Sequence, residues 1–368
     1  MSIYTHHRKF VLAAAAGAAL ILAGCTSADT EDTTSEAPAT SAAPESSDTA
    51  TDSMEMADFS SVHVALVPGG AHPYFQPWIA AGDDAKADFG LGDMVYNETA
   101  EWDQTKQNDV LNSLAASGTN AFGIFGVSPT DINTTFKTLK DAGYAVGSLA
   151  SCPAGDVNEA DFCLSTDTEE AAYKAAKAAI DAIGGEGTIA HMTGNNVDSN
   201  TQRRIVGVEK AVAETNGAVT LLPAITDVDV DLTTAQKAAA DLLAASGSDL
   251  DAIVTTAYNP AVASASAIAD SGLDIKLVAI DDDPTILAGI ADGSVYGTIA
   301  QNPVGQAYVG SWVLAELSTG NCTMVTPGVI VDSGSFIVIK DNVETYDDER
   351  QAKSTVIMEE FKSNLLSC

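Results

Sequence analysis

Short apolar segments alternate with helix-patterned segments along most of this 368-residue chain. The apolar segments lie at 62–67 (VHVALV), 121–125 (AFGIF), 188–192 (TIAHM), 252–256 (AIVTT) and 275–280 (IKLVAI). They are continuous rather than polar at every second residue, which is typical of strands covered on both faces. The alternation therefore predicts parallel sheets with helices on both sides, a doubly wound α/β fold.

The pentapeptide LAASG occurs at 114–118 and again at 243–247. Each copy ends a helical pattern and precedes an apolar run and a proline-containing turn. Either the repeat is chance in an alanine-rich chain, or the two copies are equivalent helix ends, with Gly118 and Gly247 in the left-handed cap position. The shared order of elements favours the second interpretation. Because about 310 residues are more than one core usually holds, we expect two Rossmann-like lobes with a cleft between them.

The first residues predict export. A basic stretch at 6–9 precedes a 13-residue apolar run at 10–22, too short to cross a bilayer comfortably, and then the sequence LAGC. This pattern resembles a bacterial lipoprotein signal, which implies a signal peptide at 1–24 and an acylated Cys25 that holds the protein at a membrane surface. The alternative is an ordinary buried cysteine.

The segment 25–58 is predicted to be a disordered acidic tether, since Ser, Thr, Ala, Pro, Asp and Glu dominate it. The chain has 51 acidic and 17 basic residues, a net charge of −34; without Arg8 and Lys9 the charge is −36, and without the nine acidic residues of 26–58 it is −27. Binding to nucleic acid is excluded, because it needs clustered Lys and Arg.

Four cysteines remain when Cys25 carries lipid, an even number in an oxidising compartment. Three pairings are possible. We favour Cys152 with Cys163 and Cys322 with Cys368, because the first two are close and bracket the loop-like PAGDVNEADF. The alternative is four free buried thiols.

Enzyme and metal motifs are absent from the sequence. It contains no G-x-S-x-G elbow and no phosphate loop, and PGG at 68–70 lacks the third glycine of a dinucleotide site. His63 and His191 lie in predicted strands without partners at zinc-ligand spacing, so both are expected in the core or at its rim. In the DDD stretch we expect Asp283 to cap a helix, Asp282 to be solvated and Asp281 to face the cleft.

Ligands of open parallel sheets bind beyond the carboxyl ends of the strands. Two matched turns follow such ends, SPTD at 128–131 and YNP at 258–260. If the lobes face each other, these turns line one cleft from opposite sides. They make Asp131 and Asn259 candidate ligand contacts.

Five longer segments then follow a family pattern in order. They are HPYFQPWIAAGDDAKADFG, WDQTKQNDVLNSLAASGTNAFGIFGVSPTD, NTQRRIVGVEKAV, AYNPAVASASAIADSG and LVAIDDDPTILAGIADGSVYGTIAQNPVGQAYVG. Over about residues 62–346 the chain thereby resembles the ribose/galactose-type substrate-binding proteins of ABC importers, the type I periplasmic binding proteins. His72 departs from the family, which has asparagine there, while Tyr74 and Phe75 match its aromatic pair.

The resemblance implies specific ligand contacts, which suit the hydroxyls of a sugar. Polar contacts are implied at Arg204, Asn259, Asp281 and Gln301. The C–H face of a sugar ring would lie on Tyr74, Phe75 or Trp102, with Trp78 and Tyr258 as further candidates. The alternatives are a surface arginine at 204, a second cap at 281, simple turn residues at 259 and 301, and helix-face or packing roles for the aromatics; for Trp78 we favour the core.

The resemblance also implies the domain organisation and the partners. The first lobe is expected at 59–164 and 302–330, and the second lobe with a C-terminal tail at 165–301 and 331–368, with crossings near Cys163, Gln301 and Val329. We expect a monomeric, lipid-anchored extracytoplasmic protein that delivers a sugar or polyol to an ABC permease, without catalysis, metal or cofactor. The competing hypotheses are a receptor that signals and an exported carbohydrate-active enzyme.

Overall fold

The computed structural model describes residues 57–368. The predicted signal peptide, Cys25 and nearly all of the predicted tether lie outside the described residues. The strands are β1 His63–Val67, β2 Asp93–Tyr96, β3 Ala121–Ile124, β4 Ala145–Leu149, β5 Phe162–Ser165, β6 Gly187–Met192, β7 Val219–Leu221, β8 Ala252–Thr255, β9 Lys276–Ile280, β10 Gly297–Ala300, β11 Thr323–Met324, β12 Val329–Asp332, β13 Phe336–Val338 and β14 Leu366–Ser367. The helices are α1 Pro77–Phe89, α2 Gln104–Ala116, α3 Ile132–Asp141, α4 Thr168–Ala182, α5 Ser199–Ala213, α6 Leu232–Ser246, α7 Tyr258–Ser271, α8 Pro284–Asp292, α9 Pro303–Ser318 and α10 Tyr346–Glu360.

Two large sheets form the centres of two lobes. The first has the order β12-β5-β4-β3-β1-β2, with every pair parallel. The second has the order β13-β10-β9-β8-β6-β7 and is parallel except where β13 meets β10. The predicted α/β fold with two doubly wound lobes is confirmed.

The continuous apolar runs are explained by cores on both faces of each sheet. In β1, Val64 and Leu66 pack in the core that includes Trp78 of α1, whereas Ala65 and Val67 pack in the core that includes Phe136 of α3. Both faces of the strand are therefore buried, and neither needs polar residues. The expectation that Trp78 belongs to the core is confirmed, since it is fully buried.

The chain passes between the two sheets three times, after β5, after β10 and after β12. Hydrogen bonds tie these crossings side by side. The Thr166 and Ser333 hydroxyls lie 3.2 Å apart, Asp167 N donates to Asp332 Oδ1 (2.9 Å), and Asn302 Nδ2 donates to Ser333 O (3.2 Å). The three linkers thus form one polar hinge.

The C-terminal region corrects the expected lobe boundary. Residues 331–368 were assigned to the second lobe, and β13 does join the second sheet. However, Ile357, Phe361 and Leu366 pack in the first lobe's core, with the Phe361 ring 5.5 Å from that of Phe162. Apolar residues after α10's midpoint therefore bring the end of the chain back to the first lobe.

The two LAASG copies end their helices differently. Gly118 has a φ of +103°, which agrees with the predicted cap after α2. Gly247 has a φ of −57° and begins a 3₁₀ turn, so the prediction for it is wrong. A Cβ there would lie 2.9 Å from Leu273 Cδ1, a contact that a shift of this exposed side chain would relieve.

Both favoured disulfides are present, Cys152–Cys163 and Cys322–Cys368. The first joins the loop after β4 to β5, and the second fastens the chain's last residue to the segment after α9. By loop closure each bridge contributes about 3 to 4 kcal/mol in the chain-entropy model. Among the described residues, no helix has both the length and the apolar character needed to cross a membrane.

Candidate functional site

Asp281 stands at the carboxyl end of β9, where three hydrogen bonds fix it. Its φ is +77°, a left-handed conformation rare for residues with side chains. Asp281 N donates to Ile299 O (3.0 Å), and its carbonyl accepts from Thr298 Oγ1 (2.6 Å). Its Oδ1 accepts from Gln301 Nε2 (2.6 Å). The neighbouring strand β10 and its end therefore hold the Asp281 carboxylate in place.

The three aspartates of the DDD stretch have three different environments. Asp281 is buried, and Asp283 caps α8 as predicted, with Oδ1 accepting from a backbone N–H of the first turn. Asp282 is paired with Arg350 Nη2 and also accepts from Tyr346 OH (3.3 Å). The prediction of a solvated Asp282 is wrong, because α10 brings a buried arginine to it.

Arg204 carries the positive charge that acts most strongly on this buried carboxylate. Burial raises the pKa of Asp281 to about 6, and the charge of Arg204 is the strongest influence opposing that rise. Burial and the charge of Asp281 together raise the pKa of Tyr74 above its usual range. The Arg204 Nε is buried and has no hydrogen-bond partner among the described residues. Arg203, in contrast, pairs at the surface with Asp167 (2.8 Å).

Tyr74 connects this cluster to the hinge. Its hydroxyl donates to Gln306 Oε1 (2.9 Å), and Gln306 Nε2 donates to Ser333 Oγ (2.9 Å) and lies 3.5 Å from Thr166 Oγ1. Gln306 is fully buried in α9. A side chain at the cleft is thereby hydrogen-bonded to two of the three crossings.

The first lobe lines the cleft with aromatic rings. Phe75 is buried against Trp78 and Phe125, with ring centroids 4.9 and 5.2 Å away. Trp102 remains 47% exposed, and its ring covers Gly69 and Gly70 so closely that a Cβ on either would lie within 2.9 Å of it. The PGG stretch is thus explained by contact with an indole ring.

Asn259 is held by Asp229 in the second lobe. Asn259 Nδ2 donates to Asp229 O (3.1 Å) and Oδ1 (3.0 Å), and Asn259 N donates to the same Oδ1 (2.8 Å). Across the cleft, His72 Nε2 lies 3.5 Å from Asp229 Oδ2, and the His72 ring lies 5.8 Å from that of Tyr258. His72 and these two residues therefore join the lobes.

Asp131 lies apart from this cluster. It is exposed, and its Oδ2 accepts from Ser128 Oγ (3.0 Å) within its own turn. In residues 57–368 no hydrogen bond or ion pair connects it to Arg204 or Asp281. The structure thus brings together the candidates Tyr74, Arg204, Asp281 and Gln301, with Phe75, Trp102 and Asn259 on the walls, but not Asp131.

The sequence of residues 64–322 matches the family model described as "Periplasmic binding protein domain". This chain belongs to that family. A comparison with curated proteins finds no match. Solved structures similar to this periplasmic binding protein share its fold.

Three solved structures illustrate the likeness. A sugar-binding protein of a sugar ABC transporter from Bacillus halodurans has a TM-score of 0.69 and 23% identity, covering 77% of this chain and 99% of its own. A solute-binding protein from Burkholderia graminis in complex with D-arabinose has a TM-score of 0.70 and 21% identity, and the match covers 79% of this chain and 99% of that protein. A solute-binding protein from Actinobacillus succinogenes with bound D-allose has a TM-score of 0.68 and 18% identity, and the match covers 77% of this chain and 100% of that protein.

Sequence reasoning missed two residues beside this periplasmic binding protein's cleft, whereas the expectation for His191 is confirmed. Gln306 sits in a helix without a motif, and Asp229 lies in DVDVD among similar aspartates. His191 was expected in the core or at its rim, and it is buried there, bonded through Nε2 to Thr256 Oγ1 (2.8 Å). Burial, then the charge of Arg204, lowers the pKa of His191 to about 3.

Two hollows on the described part of the chain lie away from this cluster. Hollows of about 340 and 420 Å³ lie elsewhere, one beside Lys140 and Met324 and the other between α6 and α7. Within residues 57–368, no group of three or more His, Cys, Asp or Glu side chains is arranged to hold a metal ion.

Proposed function

We propose that this protein captures a neutral monosaccharide or polyol in the cleft between its lobes and delivers it to an ABC permease. The observation that carries the proposal is the buried pair Asp281 and Gln301 at the ends of β9 and β10, together with Arg204 of α5, whose Nε is buried and has no partner among the described residues. An arginine Nε without a partner next to a carboxylate is a site built for a polar ligand.

The hydrogen bonds already made define what the ligand must offer. The amide nitrogens of Asn259 and Gln301 are engaged by Asp229 and Asp281, so each amide presents its oxygen. Asp281 adds its second carboxylate oxygen. The second lobe therefore presents acceptors beside one strong donor, Arg204. Hydroxyl groups satisfy both kinds, since each donates and accepts.

The charges favour a ligand without a net charge. Asp281 and Arg204 face each other, and the folded part of the chain is strongly acidic, with a charge of −27 when the signal and tether are left out of the total of −34. An anionic ligand would meet repulsion from the surface and from Asp281. Sugars bound by the Burkholderia graminis and Actinobacillus succinogenes proteins support the same ligand class.

Capture would proceed by rotation of the lobes about the polar hinge. In the closed arrangement His72 approaches Asp229, and the ligand's C–H face would lie on Trp102, Phe75 or Tyr74. Contacts made in the closed form provide the free energy of closure. We further propose an extracytoplasmic monomer held at the outer face of the cell membrane by lipid on Cys25, and release of the ligand unchanged.

A thermal-shift screen tests the proposal. We would heat the purified protein with millimolar D-arabinose, D-allose, D-ribose, D-galactose, D-glucose and glycerol. We expect at least one to raise the Tm by several degrees, because a ligand of the native state stabilises it by mass action. Arg204→Gln should abolish the shift. A flat response across the panel, or conversion of the sugar to a product detected by chromatography, would contradict it.

A further inference from the structure

Helix α10 touches both lobes and the hinge between them. Tyr346 at its start packs against the second lobe's core, whereas Ile357 near its end packs in the first lobe's core. Between them, Ser354 Oγ accepts from Asn302 Nδ2 (3.1 Å) at the second crossing. The Cys322–Cys368 disulfide fastens the following segment. This helix therefore packs on the second lobe at its start and on the first lobe near its end.

Arg350 is the residue through which α10 contacts the loop after β9. Its side chain is only 9% exposed and is paired with Asp282, whose side chain is 24% exposed. The guanidinium lies 5.0 Å from the centre of the Tyr346 ring, and Tyr346 OH donates to the same Asp282 oxygen (3.3 Å). A second, exposed carboxylate, Asp347, lies 3.3 Å from Arg350 Nη1.

Asp282 follows Asp281 directly, so its position constrains Asp281. The left-handed φ of Asp281 costs of order 1 kcal/mol or more and persists only where surrounding contacts hold it. On one side those contacts come from β10 and Gln301, as described above. On the other side the first contact along the chain is the pairing of Asp282 with α10.

We propose that Arg350, assisted by Tyr346, is a positioning residue for Asp281: α10 holds Asp282, and through it aims the Asp281 carboxylate into the ligand cleft. The C-terminal helix is then part of the ligand site without touching the ligand. This inference rests on the proposed function, because it assigns a role to residues around the same site.

Asp281 is also surrounded by other charged and titratable groups. Arg204 of α5 faces it, as do His72 and Tyr74 before α1 and Tyr258 at the start of α7. Asp282 is the neighbouring negative charge, and it raises the pKa of Asp281. Arg350 offsets that charge. Loss of Arg350 should therefore raise the Asp281 pKa further, whereas loss of the Asp282 charge should lower it.

Four variants separate positioning from charge. Arg350→Gln and Asp282→Asn both break the pair but change the local charge in opposite directions. Asp347→Asn is the matched control, because it removes the exposed carboxylate beside the same guanidinium. Tyr346→Phe removes one hydrogen bond to Asp282 and serves if Arg350→Gln does not fold, as judged by circular dichroism.

The measurements are sugar affinity at pH 8 by calorimetry, with the best sugar of the screen, and NMR of the ligand-free protein. The Asp281 pKa of the wild type is about 6, so measurement at pH 8 minimises the effect of a change in its protonation. We expect Arg350→Gln and Asp282→Asn both to weaken binding about tenfold, within the range for residues that share one network. The sugar affinity of Asp347→Asn should stay within about twofold of the wild-type affinity, because exposed ion pairs contribute little. Tyr346→Phe should fall between these results.

NMR keeps the two proposals distinguishable. In the ligand-free protein the Gln301 side-chain amide should shift in both pair-breaking variants, and the Asp281 carboxyl should titrate higher in Arg350→Gln and lower in Asp282→Asn. Absence of binding by the wild type defeats the proposed function alone. Wild-type affinity at pH 8 in both variants, or unchanged Gln301 and Asp281 signals, overturns the positioning role.

Discussion

The two walls of the cleft are formed by different kinds of side chain. The first lobe contributes rings, of which Phe75 is locked in the core and Trp102 rests on two glycines. The second lobe contributes Asp281, which Gln301 holds by a hydrogen bond, and Arg204, whose charge acts on Asp281. An aromatic wall is fixed by packing, whereas a polar wall keeps unsatisfied groups that oppose folding. The two walls should therefore respond differently to mutation.

The largest expected effect is on the polar wall. Asp281→Asn should weaken sugar binding by about 100-fold, because one partner of a desolvated charge contact is lost. The Tm at pH 7.5 should not fall. The folded-state pKa of Asp281 is about 6, above its ordinary value of 3.8, so the ionised group opposes folding above that pH. Calorimetry and thermal melts check both results, with Asp241→Asn as control, because Asp241 is exposed on α6. A large fall in Tm would show that the carboxylate stabilises the fold.

Acid should weaken the same wall in the wild-type protein. Because Asp281 must be ionised to accept from the ligand, affinity should be constant above about pH 7 and fall through the pKa of about 6. The limiting slope is about tenfold per pH unit. Titrations between pH 4.5 and pH 8 measure the profile, and Asp281→Asn should give a flat one. An equal slope in both proteins would assign the titration to another group.

The aromatic wall should divide into a structural part and a binding part. Phe75→Ala should lower the free energy of unfolding by about 3 to 5 kcal/mol, as for other buried phenylalanines. Trp102, which is 47% exposed, should matter less to the fold. Trp102→Ala should instead weaken sugar binding about tenfold, equivalent to 1.4 kcal/mol of lost ring contact. Denaturant unfolding measures the loss of stability, and calorimetry measures the loss of affinity. Equal losses of stability in Phe75→Ala and Trp102→Ala would contradict the division of the aromatic wall into two parts.

The smallest effect is expected where the aromatic wall meets the hinge. Tyr74→Phe keeps the ring but leaves the buried Gln306 Oε1 without its donor. Stability should fall by about 1 to 3 kcal/mol, and affinity should change only a few-fold. Gln306→Leu in the Tyr74→Phe background tests the link, since the second substitution should add less than it does alone. Additive losses would mean that the two side chains act independently.

Local patterns in the sequence were enough to predict the fold class. Apolar runs such as 62–67 predict covered strands, and the end of α2 at Gly118 follows from helix-capping chemistry. Gly247 has the same local sequence, yet its φ is −57° and a 3₁₀ turn follows α6 directly. The end of the chain is expected in the second lobe but lies in the first, because the tertiary packing of Phe361 against Phe162 determines its position.

The candidate site was predictable where strand ends carry polar residues. Asp281 and Gln301 follow neighbouring strands, so the fold brings them together. The partners of these residues were not predictable. Asp229 and His72 meet across the lobes, and Arg350 reaches Asp282 over 68 positions of sequence. Such pairs depend on the three-dimensional arrangement, which no local pattern encodes.

The most direct test of the account is a crystal structure with the best sugar of the screen. We expect the sugar between the lobes, with its hydroxyls within hydrogen-bonding distance, about 3 Å, of the Asp281 carboxylate and the Arg204 guanidinium and its C–H face on Trp102, Phe75 or Tyr74. A sugar bound outside the cleft, or in the cleft without contact to Asp281 and Arg204, would contradict it.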